Sequence, residues 1–303
     1  MRVLITGAGG LLGRAVEAAA PAGACEIHGT DIAASPAAPG PARARVRRLD
    51  VRDRQEVADA VRDVAPDVVI HLASVLAGRC EMQPADAAEV NVLGTLNLLE
   101  SAAQHGVRRV VLASSGSVYG QQGDRREESA VGPPLSTYGF TKLLAEKLAD
   151  RYATAGGLDC VSLRFSLVFS AVESESNQGE AAAVGRLRKA MSGSAVEIPE
   201  MSAGTWRHLL HATDAARAIW SVALHPAPLS GVYNVAGPPE NFVQMGSVAE
   251  LLRRIAPGMG AVHFTGPARS GARMCIDRIA ADVGFVPRVT VEQAFREALG
   301  GGR

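Results

Sequence analysis

The sequence predicts an α/β protein: a doubly wound parallel sheet followed by a smaller C-terminal cap. Three observations carry this. A short apolar strand, a glycine turn and a helical pattern follow one another at the N-terminus, where residues 2–13 read RVLITGAGGLLG. From Met1 to about Phe165 strands and helices alternate, as they do where each parallel strand needs a crossover helix. After Phe165 that alternation gives way to polar, irregular stretches and isolated helices.

Taken in order, Val3, Leu4 and Ile5 form the kind of apolar run expected of a strand buried on both faces. Gly7, Gly10 and Gly13 come next, then a helix over 11–20. A strand at 26–30 ends on Asp31, and a loop rich in Ala, Pro, Ser and Gly spans 33–43. The pattern predicts a short strand at 46–49, a helix at 54–64, a strand at 67–72, one long helix over 84–105 and a strand at 108–113. The charged stretch 124–128 reads as a solvated loop. A helix is expected over 136–155 and a strand over 159–164. Beyond these, 171–178 is irregular, with helices at 180–192, 212–224 and 248–255 and a strand at 231–235.

The N-terminal strand, turn and helix make a phosphate-binding device. Glycines let the backbone turn tightly and approach a pyrophosphate, and the helix start offers free N–H groups and a positive dipole end. Asp31 stands eighteen residues past Gly13, near the spacing at which a carboxylate meets adenosine ribose hydroxyls.

At 303 residues the chain has room for one large α/β unit and an appendage. Hydrophobic residues make up 47% and charged residues 20%, as in ordinary globular proteins, and the zero net charge gives no electrostatic pull towards nucleic acid or anionic membrane. Cys25, Cys80, Cys160 and Cys275 are scattered without metal-ligand spacing, which points to buried thiols in a reducing cytoplasm and to no metal. The first strand begins too early to leave room for a signal peptide, and no apolar run reaches membrane-spanning length.

Tyr138 and Lys142, four apart in a helix, share one face. Ser115 follows an apolar strand, at the end where open α/β sheets bind ligands. A phenol of pKa near 10 is a poor base at neutral pH, and a nearby ammonium is expected to lower it, while a serine hydroxyl fixes a substrate oxygen.

Together these residues resemble the extended short-chain dehydrogenases/reductases, the NAD-dependent epimerase/dehydratase family. The resemblance rests on TGAGGLLG at 6–13, Asp31, LDV at 49–51, HLA at 71–73, Asn91, SSGSVYG at 114–120 and YGFTK at 138–142, and is densest over 3–165. It implies a Rossmann-like sheet with a substrate-binding cap: residues 1–165 for NAD, rejoined by 207–239, and 166–206 with 240–303 as the cap. It implies NAD along Gly7, Gly10, Leu11, Leu12 and Gly13, with Asp31 on the ribose, Asp50 and Val51 beside the adenine, and Leu72, Ala73, Tyr138 and Lys142 also in contact. Ser115, Tyr138 and Lys142 would be catalytic, with Asn91 organising the active-site helix and its water. Ser74, Ser115, Ser117 and Arg207 would face substrate. The helices at 84–105 and 136–155 would pair in a homodimer. NAD is favoured over NADP because Asp31 repels a 2′-phosphate, although Arg43, Arg45, Arg47 and Arg48 lie in a loop able to fold back.

Plainer roles stand beside these: Asn91 as a polar residue on an exposed turn, His71 as a core histidine, Asp50 as a turn cap, Tyr119 and Trp206 as packing residues, and Arg207 as half of an ion pair. The family's dehydratases carry Asp–Glu where this chain has Gly116 and Ser117, which argues against dehydration. Leu167 replaces the asparagine that anchors a nucleotide-sugar diphosphate, and Ser170–Ala171 replaces Gly–Pro, whereas Arg207 keeps a cation for a phosphate or carboxylate. The resemblance thus implies hydride transfer at a secondary alcohol of a sugar-like substrate, in the manner of a nucleotide-sugar epimerase. The departures open a second reading, a dehydrogenase of a sugar acid or hydroxy acid. A catalytically silent NAD-binding sensor is the alternative of another class.

Overall fold

A computed structural model gives the fold for residues 1–33, 46–121, 123–171, 180–229 and 231–300. Its centre is a parallel sheet. Strand β1 (Arg2–Thr6) lies between β2 (Glu26–Asp31) and β4 (Val68–His71), with β3 (Arg47–Arg48) outside β2. Beyond β4 come β5 (Arg109–Ser115), then β7 (Asp159–Phe165), reached after a short strand β6 (Arg125–Arg126) that lies elsewhere. The last member is the C-terminal segment Gly231–Val235, beside β7, giving seven parallel strands. The order reverses at β1 and β4, and a crevice opens beyond their carboxyl ends.

Alternation along the strands feeds two apolar layers. Val3 and Ile5 of β1 pack on one face and Leu4 on the other; Val68 and Ile70 of β4 oppose Val69 in the same way. Each of these aliphatic side chains is fully buried, which contributes about 1.5–3 kcal/mol apiece. Helix α1 (Leu11–Ala18) covers the first face and α2 (Arg54–Val64) the second. Asp53 starts α2 by accepting the amides of Gln55 and Glu56, and Ala65 ends it in a left-handed turn.

The helix expected over 84–105 is present over 84–104, with a π-turn inside it. Two short helices, α3 (Ala77–Met82) and α4 (Pro84–Ala88), lead into a π-turn at Glu89–Leu93, and only then does α5 (Gly94–Gln104) run on. The side chain of Val51 lies where a Cβ on Gly94 would stand, 2.7 Å away, so only glycine lets α5 approach this closely. Helix α6 (Thr137–Gly156) is as expected, capped by the Ser136 hydroxyl on the Gly139 amide.

After β7 the chain enters smaller sheets. Strands β8 (Leu167–Phe169), β9 (Val196–Ile198) and β10 (Trp206–His211) frame α7 (Ala181–Met191), and β10 pairs with β8 and with Phe242–Gln244. The chain then returns through α8 (Ala212–Ala223) under the large sheet to β11 (Gly231–Val235). Trp220 of α8 donates its indole N–H to the carbonyl of Val16 in α1 over 2.8 Å. The guanidinium of Arg109, fully buried, grips Asp159 and the carbonyls of Val222, His225 and Ala227. Strand β12 (Phe242–Gln244), α9 (Met245–Ile255), β13 (Val262–Phe264), β14 (Arg273–Met274), α10 (Asp277–Val283) and α11 (Val291–Gly300) complete the chain. A separate apolar cluster holds Phe169, Leu187, Leu209, Leu252 and Phe295.

Residues 124–128, expected as a solvated loop, include β6, which pairs in parallel with β14. The carboxylate of Glu128 accepts the Asn234 amide. The expected loop at 33–43, with Arg43 and Arg45, and the irregular stretch at 171–178 lie outside the described residues except at Ala33 and Ala171.

Candidate active site

Gly7 leaves β1 with φ of +73°, and a Cβ there would stand 2.6 Å from the amide nitrogen of Ala73, just past β4. Glycine therefore serves twice, by allowing the left-handed turn and by allowing two backbones to touch. At Gly13 a Cβ would collide with the carbonyl of Gly7. Gly10 caps α1 without a side chain, so the amides of Leu11, Leu12 and Gly13 occupy a first helical turn that supplies no acceptor. These amides face an anion by default. Asp31 ends β2 beside this turn, accepting the amides of Gly9 and Ala33 at 3.0 Å each. The pieces fit a dinucleotide: a bare pyrophosphate cradle with a carboxylate one strand away.

Asp50 is held by Arg52, which donates from Nη2 at 2.7 Å and lowers the carboxyl pKa; the Arg52 amide also caps onto it. Val51 is buried, and its carbonyl takes the Asn97 side chain. The Leu72 amide continues the sheet by donating to Thr6.

Ser115 ends β5 and accepts the Ser117 amide. The phenol of Tyr138, in the first turn of α6, lies close enough for the Ser115 hydroxyl to lower its pKa. One turn on, Lys142 donates from Nζ to the carbonyl of Ala113 at 2.9 Å. The ammonium lies 5.6 Å from the centre of the Tyr138 ring. Sequence, strand end and helix face thus bring serine, tyrosine and lysine together.

The electrostatics differ from the expectation of a lowered phenol. Burial pushes Tyr138 up to about 12, outweighing the effect of the Ser115 hydroxyl, and pushes Lys142 down to about 8. Both shifts have one cause, since a site walled by protein disfavours whichever form carries charge. The phenol's proton leaves readily only when positive charge is added close by.

Asn91, buried within the π-turn, has a fully engaged side chain. Its Oδ1 accepts the Ser74 hydroxyl and the Val75 amide, and its Nδ2 donates to the carbonyl of Val75 and to Thr141 of α6. It ties the loop after β4 to the helix that carries Tyr138 and Lys142. The π-turn leaves the Asn91 carbonyl to accept the Thr95 hydroxyl at 2.7 Å. With that proton committed, Thr95 accepts from His71 Nε2 at 3.1 Å, and His71 Nδ1 accepts the Thr6 hydroxyl at 2.6 Å. His71 is therefore a neutral Nε2–H tautomer, and burial lowers its pKa to about 3.

Tyr119 is buried, as a packing residue should be, and its hydroxyl donates to Asn234. Trp206 stacks on Phe242. Arg207 forms a two-pronged ion pair with Glu180, at 2.8 and 2.5 Å. Ser117 is exposed near Ser115, and Ser74 faces Asn91. Two partners escaped the sequence reading, Thr141 and the buried pair Glu146–Arg164 on which the Ser114 hydroxyl rests. The spacing of Glu146 from Lys142, one helical turn, was the available signal. Among the described residues no group of three or more His, Cys, Asp and Glu side chains is placed to hold a metal ion, and no helix is long and apolar enough to cross a membrane.

A model of the NAD dependent epimerase/dehydratase family matches residues 3–236. UDP-glucuronate 4-epimerase of Thermodesulfobacterium geofontis is 36% identical over 124 residues, 40% of this chain and 38% of that protein. Uronate dehydrogenase of Pseudomonas putida is 31% identical over 170 residues, 55% of this chain and 61% of that protein. These alignments cover less than two thirds of either relative. The crystal structure of Thermus thermophilus UDP-glucose 4-epimerase with NAD superposes with a TM-score of 0.86 at 27% identity, covering 99% of both chains.

Proposed function

The chain belongs to the NAD-dependent epimerase/dehydratase family, and on that premise we propose that it is an NAD-dependent oxidoreductase of the extended short-chain type, working at a secondary alcohol of a sugar or sugar-like substrate. The observation that carries this is the meeting of Ser115, Tyr138 and Lys142 at the end of β5.

NAD is held by Gly7, Gly10, Leu11, Leu12 and Gly13, with Asp31 on the adenosine ribose, Asp50 and Val51 on the adenine side, and Leu72, Ala73, Tyr138 and Lys142 towards the nicotinamide. When bound it supplies a hydride acceptor and a positive charge. Tyr138 takes the proton of the substrate hydroxyl, and Ser115 orients that oxygen. Lys142 stabilises the phenolate. Asn91 acts as a positioning residue, since its side-chain hydrogen bonds are all used within the protein. Ser74, Ser117 and Arg207 line the substrate side. Epimerisation, as in the nucleotide-sugar epimerases, returns the substrate reduced with inverted configuration; net dehydrogenation releases it oxidised.

Leu167, which offers no hydrogen bond to a diphosphate, supports the second reading, net dehydrogenation of a smaller substrate such as a sugar acid or hydroxy acid, although Arg207 already has Glu180 as its anion. We further propose that residues 1–165 and 207–239 form the NAD-binding unit and the remainder the cap. Exposed Leu93 in the π-turn before α5, with Phe140 and Leu144 on α6, supports a homodimer through the helices at 84–105 and 136–155. The four free cysteines agree with a cytoplasmic setting.

The test is NADH absorbance with a panel of sugar acids, hydroxy acids, free sugars and nucleotide sugars, alongside NMR of the nucleotide sugars. NADH accumulation identifies a dehydrogenase, and inverted product without NADH an epimerase. Y138F is expected to abolish turnover with NAD affinity nearly unchanged. Turnover retained by Y138F overturns the mechanism, and NAD binding without any turnover supports the silent sensor.

A further inference from the structure

Arg126 stands apart from the other arginines withdrawn from water. Arg109 holds Asp159, Arg164 holds Glu146, and Arg207 holds Glu180. Among the described residues Arg126 has no carboxylate within ion-pair distance, although Glu180 is near enough to be felt. Its Nη1 and Nη2 reach only the carbonyls of Gly116 and Gly120, both at 3.4 Å, longer than an ordinary N–H···O bond, and its buried Nε has no partner. Part of the residue remains open to solvent, and its guanidinium lies 5.7 Å from the Tyr119 ring centre. Burial and the neighbouring Arg207 cation lower its pKa, and Tyr119 and the Glu180 carboxylate, which Arg207 itself holds, only partly offset them.

Its position matters as much as its charge. Gly116 follows Ser115, and a Cβ on Gly116 would stand 3.6 Å from Nη1 of Arg126. The two carbonyls it touches bracket the turn Gly116–Tyr119, which carries Ser117. The backbone holds Arg126 there through β6, whose partner β14 donates the Met274 amide to His208, next to Arg207 in β10.

We propose that Arg126 is a specificity residue whose guanidinium receives a carboxylate of the substrate, so that the alcohol presented to Ser115 and Tyr138 belongs to a sugar acid, free or nucleotide-linked, rather than to a neutral sugar. A planar two-oxygen anion matches the guanidinium fork and replaces two long carbonyl contacts with charge-assisted ones. The inference rests on the oxidoreductase reading for the alcohol beside it; the anion preference itself does not.

The test is calorimetric titration of the protein, with and without NAD, using two matched pairs: D-glucuronate against D-glucose, and UDP-glucuronate against UDP-glucose. The expected result is that wild type prefers the acid in at least one pair. R126M is expected to lose about 30-fold or more in affinity for that acid while the neutral member and NAD change less than about twofold. R126K, which keeps the charge without the fork, is expected to lose a smaller part and covers the case in which R126M fails to fold. No acid preference in either pair, or a preference unchanged in a folded variant, overturns the proposal. Failure to bind NAD overturns the oxidoreductase reading instead.

Discussion

The ammonium of Lys142 donates to the carbonyl of Ala113, bringing a buried cation against the end of the strand that delivers Ser115. Its pKa of about 8 in the folded chain lies below the 10.5 of a free lysine. The unfolded chain binds the extra proton between those values, so this group's contribution to stability rises with pH from about 8 to about 10.5. K142M is expected to be more stable than wild type at pH 7 by about 1–3 kcal/mol, with the difference shrinking by pH 9.5, while turnover falls by about 10³-fold or more. Urea melts at both pH values check this; a variant less stable at pH 7 contradicts it.

His71 gives a slope of the same sign in a lower window. Neutral when folded, with a pKa of about 3 against 6.5 unfolded, it takes up a proton only on unfolding. Stability from this group is complete above about pH 6.5 and declines by up to about 5 kcal/mol as pH falls towards 3. Nitrogen-15 NMR is expected to show a non-titrating Nε2–H tautomer from pH 5 to 8. A charged ring at pH 5 would refute the hydrogen-bond assignment through Thr95.

Under the proposed function, Asp31 is the residue that chooses between NAD and NADP. Its carboxylate is anchored by the Gly9 and Ala33 amides, beside the place where a ribose would lie. D31A is expected to improve NADP affinity relative to NAD by about tenfold or more, because like-charge repulsion is removed. Binding measured by fluorescence for both cofactors decides it, and an unchanged ratio would argue that Asp31 does not meet the ribose.

On α6, one turn past Lys142, Glu146 neutralises buried Arg164 at 2.7 Å and accepts the Ser114 hydroxyl. E146Q leaves a buried guanidinium without its anion, and a loss of about 3–5 kcal/mol is expected. Denaturant melts read it directly; a loss under about 1 kcal/mol would mean that water reaches the pair.

The first half of the fold was legible because its signals are local. Glycine spacing, aliphatic runs and the Ser136 cap are set by neighbours in sequence, and the strands at 26–31, 159–165 and 231–235 fall where those signals put them, within a residue. The π-turn at Glu89–Leu93 was not legible, since it preserves the apolar spacing on either side and needs no glycine or proline of its own. Strands of two or three residues, such as β6 and β14, show no periodicity at all. For the same reason Arg126 was hidden. In sequence it is one charge in a charged run, and only pairing with a strand nearly 150 residues later sets it against Gly116, the residue after Ser115. The Tyr138 phenol was misjudged in direction because charge neighbours can be guessed from helix spacing, whereas depth of burial cannot.

The bond from Trp220 to Val16 spans 204 residues, and this has a consequence for a chain made from one end. At about 5–20 residues per second, α1 waits on the order of 10–40 s for α8 to be synthesised. Through that interval the side of the sheet that α8 will cover presents Val3, Ile5 and Val16 to water or to a chaperone. The glycine turn after β1 thus becomes part of a finished core only when ribosomal synthesis has run about 200 residues past it.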